Sequence, residues 1–129
     1  SKEEIVVAKY DKTQIELENI YFEFNKWDIT PQAATVLDDL INLLNKYPEM
    51  EIEIASHTDV RGPVQYNQML SEKRAASTLE YLVQNGIDRG RLTSKGYGES
   101  EPLNKCVREG ICTDDEYDIN RRSEFTILK

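Results

Sequence analysis

The sequence has no long hydrophobic run, and this absence limits the class of protein. Its longest apolar stretches are only a few residues, whereas a membrane-spanning helix needs about 20. The chain starts with charged residues 1–4 (SKEE) and shows no signal-peptide pattern behind them. We therefore expect a domain that does not itself insert into a membrane, and a mature or excised piece of a longer protein.

Basic residues and histidine are also scarce. The 24 acidic residues outnumber 16 lysine and arginine residues, which gives a formal net charge of −8. Nucleic acids and anionic membranes favour a basic protein surface, so this charge balance argues against both as partners. The single histidine, His57, lies far in sequence from both cysteines, and a metal site would need more ligands. We expect neither a metal ion nor a cofactor.

The two cysteines, Cys106 and Cys112, lie close together. They are either unrelated free thiols or the two halves of a disulfide. A disulfide over so short a loop would contribute about 2 kcal/mol in the chain-entropy model. The close spacing in an acidic, glycine-containing loop favours the disulfide, and with it an oxidising compartment.

Two segments have the spacing of amphipathic helices. The first begins at Thr30 and Pro31, because threonine caps free amide groups and proline is tolerated at the first helical position, and it ends before Pro48. The second covers residues 65–84 and is closed by Gly86. The predicted core positions of the two helices are Ala33, Val36, Leu37, Leu40, Ile41, Leu44, Met69, Leu70, Ala76, Leu79, Leu82 and Val83.

Strands are predicted where apolar residues alternate with polar ones. These segments are residues 20–24, 50–54, 91–97 and 121–128, with a further strand near 14–17. In the first segment, the alternation places Ile20, Phe22 and Phe24 on one face. The order β-α-β-α-β-loop-β predicts an α+β two-layer sandwich, in which helices cover one face of a mixed four-stranded sheet. Residues 1–18 are expected to be a lead-in and residues 19–129 the domain.

Polar residues collect where the second strand ends. Segments that leave a buried strand often hold functional sites, and Asp59 lies in such a segment, although an aspartate there also caps turns. On the following helix Asn67, Ser71 and Arg74 are spaced i, i+4 and i+7 and form one stripe. This stripe is either a solvated face or a site in which the Arg74 side chain passes over small neighbours.

Four motifs follow one another along most of the chain. They are residues 22–25 (FEFN), 56–59 (SHTD), 67–75 (NQMLSEKRA) and 120–122 (NRR). Together they resemble the OmpA C-terminal, Pal and MotB family, although the simpler members lack the cysteine-containing loop 99–118. The resemblance implies a periplasmic domain that binds peptidoglycan without covalent chemistry. Such a domain anchors an outer-membrane protein or an envelope assembly to the cell wall.

The resemblance also implies a ligand site. At the positions of Asp59 and Arg74 the family holds diaminopimelate of the stem peptide. Diaminopimelate carries an ammonium and a carboxylate on one carbon. The Asp59 carboxylate can accept from the ammonium, and the Arg74 guanidinium can donate in a fork to the carboxylate. The further ligand contacts expected are Thr58, Asn67, Leu70, Asn25 and Arg121.

We expect different surroundings for the two arginines at the start of the last predicted strand. Arg121 is expected on the helix side of the sheet, where it either contacts the ligand or serves as the structural partner of a carboxylate such as Asp59. Arg122 is expected to be a solvated edge residue.

Two other functions compete with wall binding. A hydrolase using His57 and Asp59 is disfavoured because these two residues are too few for a metal site, and no serine or cysteine nucleophile has a base in its motif. No glycine-rich phosphate loop is present. The alternative that stays open is a protein–protein scaffold or stator-type envelope module without wall affinity.

Overall fold

The computed structural model describes residues 10–128. Within them the strands are β1 (Ile20–Tyr21), β2 (Ile52–Ser56), β3 (Leu92–Gly96) and β4 (Arg122–Ile127). The helices are α1 (Pro31–Lys46), α2 (Val64–Gln84) and the short α3 (Asp114–Asp118), with 3-10 turns at Lys12–Gln14 and Arg89–Arg91. No helix of the described range is long and apolar enough to cross a membrane.

The strands form one mixed sheet in the order β1-β4-β2-β3. β2 and β3 are parallel, and β4 runs antiparallel to β1 and β2. Ser56 pairs with Gly96 on one side and with Ser123 on the other. The ends of β2 and β3 and the start of β4 therefore lie at one edge of the sheet. This topology confirms the predicted α+β fold with a mixed four-stranded sheet.

Helix α1 begins and ends close to the predicted positions. At its start, Thr30 Oγ1 accepts a hydrogen bond from the Ala33 amide at 3.0 Å. At its end, Arg91 Nη2 donates to the carbonyl oxygens of Leu44 and Tyr47, both at 2.8 Å. These bonds satisfy carbonyl groups that a helix end leaves without an intrahelical partner.

The hydrophobic core lies between the helices and the sheet. Its fully buried centre includes Leu37 and Leu44 of α1, Ile52 and Ile54 of β2, and Leu82 of α2. Several predicted core residues pack around this centre while only partly buried: Val36, Leu79, Val83 and Ile127.

The inner face of α2 is largely polar towards its N-terminal half. Asn67, Ser71, Arg74 and Thr78 are all buried, and their spacing of three or four residues places them on one face. Ala76 points away from that face and is exposed, so its prediction as a core residue was wrong. Because the polar stripe is buried, it is not a solvated helix face.

A chain of buried hydroxyl groups joins α2 to the sheet. Ser123 Oγ lies 2.5 Å from Ser56 Oγ and 3.1 Å from Thr78 Oγ1. Thr78 Oγ1 in turn donates to the carbonyl oxygen of Arg74 at 2.8 Å. The polar side of α2 is thus satisfied by the strands it covers.

The N-terminal strand predictions were partly wrong. Lys12–Gln14 is a 3-10 turn capped by Asp11, and residues 15–17 pack against the core without strand pairing. Residues 1–9 of the predicted lead-in lie outside the described residues. β1 itself ends at Tyr21, and Phe24 is 58% exposed because the chain turns at Asn25, which has a φ of 60°.

Helix α3 lies inside the segment predicted to be a loop. It opens with a capping box, in which the Thr113 side chain accepts from the Glu116 amide and the Glu116 carboxylate accepts from the Thr113 amide. The pattern Thr-x-x-Glu at residues 113–116 was the available sequence signal for this helix.

Gly96 provides a test of the contact between β3 and α2. A Cβ at this position would lie 2.5 Å from the Glu72 amide nitrogen and 2.6 Å from Ser71 Oγ. We therefore expect Gly96→Ala to lower the free energy of unfolding by about 1–3 kcal/mol, as measured by urea denaturation. Gly90→Ala is the control, because the nearest atom to its added Cβ is a side-chain oxygen of Asp88, 3.4 Å away. Equal unfolding midpoints for the two variants would contradict the close packing inferred here.

Candidate functional site

A cavity of about 400 Å³ opens at the edge of the sheet where β2 ends. All seven residues predicted as ligand contacts line it: Asn25, Thr58, Asp59, Asn67, Leu70, Arg74 and Arg121. They come from the β1–α1 turn, the β2–α2 loop, α2 and the residue that precedes β4. The fold therefore brings together residues that are up to 96 positions apart, from Asn25 to Arg121.

Asp59 is buried at the cavity wall, with its carboxylate already engaged. Its Oδ1 accepts from the Arg61 amide at 2.8 Å and from Arg61 Nε at 3.0 Å, and its Oδ2 accepts from Arg61 Nη2 at 2.9 Å. The hydrogen bonds with Asp59 raise the pKa of Arg61 above its ordinary value. Asp59 therefore both caps the turn at Gly62 and contributes a negative charge to the cavity.

Arg74 lies fully buried on the opposite side and ties three backbone segments together. It donates to the carbonyl oxygens of Lys26 at 2.8 Å, His57 at 3.1 Å and Glu23 at 3.1 Å. Burial, with a smaller contribution from nearby Arg121, lowers the pKa of Arg74 to about 10, so the guanidinium stays protonated at neutral pH.

The two charges at the centre of the site are not paired with each other. No ion pair joins Asp59 and Arg74 among the described residues. A guanidinium has five N–H donors, and the three bonds of Arg74 leave two of them without an acceptor within residues 10–128. The cavity is thus bounded by the Asp59 carboxylate and by the Arg74 guanidinium, which has two N–H groups left to donate.

The neighbouring predicted residues mainly hold the walls in place. Thr58 Oγ1 donates to the carbonyl of Asp59 at 2.9 Å. Asn67 Nδ2 donates to the carbonyl of Arg61 at 3.1 Å and to Glu99 Oε1 at 3.0 Å, which fastens the β2–α2 loop to α2. Leu70 supplies a buried apolar surface.

Asn25 and Arg121 complete the predicted set. The Asn25 side chain accepts a hydrogen bond from the Tyr66 hydroxyl across the cavity mouth. Arg121 donates from Nε to the carbonyl of Phe22 at 2.8 Å and from Nη1 to Asp118. It lies 3.9 Å from Asp59 Oδ2, so its main carboxylate partner is Asp118 rather than Asp59.

Arg122 does not lie at a solvated edge, so that expectation was wrong. It is 1% exposed and donates to Glu124 and to the carbonyl oxygens of Asn120 and Glu101. Its guanidinium fixes the start of β4 and the segment after β3, and it has no part in the lining of the cavity.

The cysteine-containing insert forms one rim of the cavity. Cys106 and Cys112 are joined in a disulfide, as predicted. Within that loop, Glu109 lines the cavity and accepts from the Gly62 amide at 3.3 Å. The insert therefore contributes directly to the site.

Sequence reasoning missed Arg61, Glu109 and Tyr66 as cavity residues. For Arg61 the signal was its position two residues after Asp59 and directly before Gly62, where an Asx turn folds the chain back. Glu109 and Tyr66 carry no comparable local signal. In the part of the chain that is described, no group of three or more histidine, cysteine, aspartate or glutamate side chains is arranged to hold a metal ion.

Removal of the Arg74 side chain tests its structural role. Arg74→Ala leaves the carbonyl groups of Glu23, Lys26 and His57 buried without their donor, so we expect a loss of about 3 kcal/mol or more in the free energy of unfolding. Arg89→Ala is the control, because Arg89 is 60% exposed and its surface pair with Glu80 should be worth under about 1 kcal/mol. Similar urea midpoints for the two variants would contradict this role.

His57 lies beneath the site in a buried setting. It is 1% exposed, stacks on Tyr97 with the ring centroids 5.4 Å apart, and has an Nδ1 without a hydrogen-bond partner within the described structure. Burial, followed by the charge of Arg122, lowers the pKa of His57 from 6.5 to about 4, while Glu124 opposes this shift.

The lowered pKa of His57 predicts that the folded protein loses stability as the pH falls. Between pH 6.5 and pH 4 the unfolded chain binds the His57 proton more readily than the folded one does, so stability falls as the pH falls. The histidine contribution to that loss is about 3 kcal/mol. Urea denaturation of the wild type and His57→Gln across this range measures the difference. Parallel stability curves for the two proteins would show that the histidine does not contribute.

Known proteins share both the sequence and the fold. The outer membrane porin F of Pseudomonas fluorescens is 34% identical over 114 residues, which are 88% of this chain and 33% of the porin. The peptidoglycan-associated lipoprotein of Haemophilus influenzae is 37% identical over 83 residues, 64% of this chain and 54% of the lipoprotein. The chain thus spans about a third of the first relative and about half of the second.

The fold matches that of a solved structure, the peptidoglycan-associated lipoprotein of Burkholderia pseudomallei. Its TM-score is 0.76 at 24% identity, with 84% of this chain and 88% of that chain covered. The sequence profile of the OmpA family matches residues 21–110, from β1 to the tip of the cysteine loop. On the evidence of this match and of the relatives above, the chain belongs to the OmpA family.

Proposed function

We propose that this domain binds the stem peptide of peptidoglycan and that the cavity holds the zwitterionic head of diaminopimelate. The observation that carries the proposal is that the Asp59 carboxylate and the Arg74 guanidinium, two opposite charges that form no ion pair with each other, line one cavity. The names of the relatives agree with this proposal, since two of them are peptidoglycan-associated lipoproteins.

The chemistry of the ligand matches the walls of the cavity. The ammonium group of an amino-acid head donates to Asp59, and the carboxylate on the same carbon accepts from the two remaining N–H groups of Arg74. Leu70 contacts the aliphatic chain of the ligand, and Thr58, Asn67 and Asn25 keep the walls at the required spacing. Arg121 adds positive charge near the ligand carboxylate.

The net charge of the domain is compatible with such a ligand. A chain at −8 repels an extended polyanion at long range, but a zwitterionic head carries no net charge and is held by local contacts. Each charge-assisted hydrogen bond of this kind contributes about 1.5–3 kcal/mol. The few contacts available in the cavity are therefore enough for specific binding.

The setting proposed for the domain is the periplasm. The Cys106–Cys112 disulfide suits an oxidising compartment, and relatives named as outer membrane porin and lipoprotein belong to the cell envelope. We propose that residues 19–129 form the wall-binding domain of an outer-membrane-associated protein and anchor it, or an envelope assembly, to the wall. Its role is binding without catalysis.

Substitutions that remove the charge of Asp59 or the forked donor geometry of Arg74 test the function. We expect Asp59→Asn and Arg74→Lys each to weaken sedimentation with purified sacculi at least tenfold, because each removes about 1.4 kcal/mol or more of charge-assisted binding. Lysine keeps the charge of Arg74 but cannot donate as a planar fork. The measurement is the fraction of protein bound across a series of sacculus concentrations.

Matched controls carry the same changes outside the cavity. Asp39→Asn on α1 and Arg89→Lys after α2 are exposed and should bind as the wild type does. If Asp59→Asn and Arg74→Lys also bind normally while folded, the cavity is not the wall site. If the wild type itself does not sediment with sacculi, wall binding is contradicted and the protein–protein scaffold becomes the favoured function.

A further inference from the structure

The Arg61 guanidinium is hydrogen-bonded to the Asp59 carboxylate, which is the group that the ammonium of the proposed ligand would bind. Two side-chain nitrogens of Arg61 bond to the two oxygens of Asp59, at 3.0 Å and 2.9 Å, and the Arg61 amide takes a further acceptor site at 2.8 Å. A carboxylate has about four acceptor sites, so little capacity remains for an ammonium group with three donors. A ligand ammonium must therefore displace the Arg61 guanidinium.

A second set of acceptors for Arg61 lies on α3. Its Nη1 is 3.1 Å from Asp114 Oδ1, and its Nη2 is 3.6 Å from Asp118 Oδ1. These carboxylates are more exposed than Asp59, at 92% and 42% against 4%. The Arg61 guanidinium is already shared between one buried carboxylate and two outer ones, of which Asp114 is the nearer and Asp118 also accepts from Arg121.

The aromatic surroundings of Arg61 allow it to move between these acceptors. Its guanidinium lies 4.8 Å from the Phe24 ring centroid and 4.7 Å from the Tyr117 ring centroid. Contacts between a guanidinium and an aromatic face tolerate lateral displacement better than directed hydrogen bonds do, so a small shift keeps them. Movement towards α3 thus exchanges one carboxylate for another.

The cysteine insert fixes the outer acceptors in place. Tyr117 packs in a small buried cluster with Val60 and the disulfide-bonded Cys106, and its hydroxyl donates to the carbonyl of Arg108 at 2.8 Å. Asp114 and Asp118 lie on the same helix as Tyr117. The insert therefore holds two carboxylates beside the cavity at a defined distance from Arg61.

We propose that Arg61 competes with the ligand for Asp59 and moves onto Asp114 and Asp118 of the insert when a ligand ammonium binds. This proposal rests on the proposed function, because it takes the Asp59 cavity as the binding site. It makes Arg61 a specificity-determining residue: a molecule with carboxylates but no ammonium cannot displace it from Asp59. The insert then sets how readily the exchange occurs.

Two probes test whether Arg61 competes with the ligand for Asp59 or has only a structural role. Diaminopimelate carries ammonium groups and carboxylates, whereas pimelate has the same carbon chain and carboxylates without the ammonium groups. If Arg61 holds Asp59 in about 90% of molecules, Arg61→Gln should tighten diaminopimelate binding about tenfold. The same variant should leave pimelate binding unchanged or weaker, because it removes a cation from the cavity.

Neighbouring aspartates on α3 provide a matched pair of variants. Asp114→Asn weakens the outer acceptor and should weaken diaminopimelate binding about threefold by leaving Arg61 on Asp59 for more of the time. Asp115→Asn makes the same charge change next to it and should have no effect, because within residues 10–128 the ion pairs of Arg61 are with Asp59, Asp114 and Asp118. In the Arg61→Gln background, Asp114→Asn should lose its effect.

The experiment is an NMR titration of the folded wild type and these variants with each probe. Weaker or unchanged diaminopimelate binding by Arg61→Gln overturns the proposal, as does an equal effect of Asp114→Asn with and without Arg61. If the wild type does not bind diaminopimelate but Arg61→Gln does, the competition is supported. If no variant binds it, the competition is overturned, and the sacculus assay with Arg74→Lys decides the proposed function separately.

Discussion

The structure of the site depends on one buried cation. The Arg74 guanidinium binds the turn after β1 through Glu23 and Lys26 and the end of β2 through His57, while its own backbone belongs to α2. Segments that are distant in sequence are thus held at one point, and the cavity is the space left beside that point. A buried charge requires strong compensation, and here the compensation consists of backbone dipoles rather than a carboxylate. The charge consequently remains available to interact with an anion, since no protein carboxylate neutralises it directly.

The fold was largely predictable because local signals agree with the tertiary arrangement. Thr30 before a proline and Gly86 after an amphipathic run mark helix ends that do not depend on distant contacts. The predictions failed where tertiary contacts override the pattern. Phe24 continues the alternation of β1 but is exposed, because the chain turns at its neighbour to bring carbonyl groups to Arg74. Ala76 fits the apolar spacing of α2, yet it is exposed, and the polar residues Asn67, Ser71, Arg74 and Thr78 of that helix are buried instead.

The members of the site were predictable from motifs, but their bonding was not. The seven expected residues line one cavity, whereas sequence could not reveal that Asn67 is occupied with the loop or that Arg121 is held mainly by Asp118. The position of Arg61 depends on a carboxylate two residues away and on a helix more than fifty residues further along the chain. Such a contact requires the disulfide loop to fold back over the β2–α2 connection. Local spacing carries no information about that event.

The buried hydroxyl chain has a consequence for the polarity of the core. Since the Thr78 hydroxyl donates its hydrogen bond to the carbonyl of Arg74, the Ser123 hydroxyl is the donor in the bond between Thr78 and Ser123. The Ser56 hydroxyl is then the donor in the bond between Ser56 and Ser123. All three O–H dipoles therefore point the same way, from β2 through β4 into α2, and no hydroxyl can reverse without breaking the next bond. The sheet and the helix that carries the buried cation are thus linked by hydroxyl dipoles aligned in one direction, because Ser123 and Thr78 each accept one hydrogen bond and donate the next.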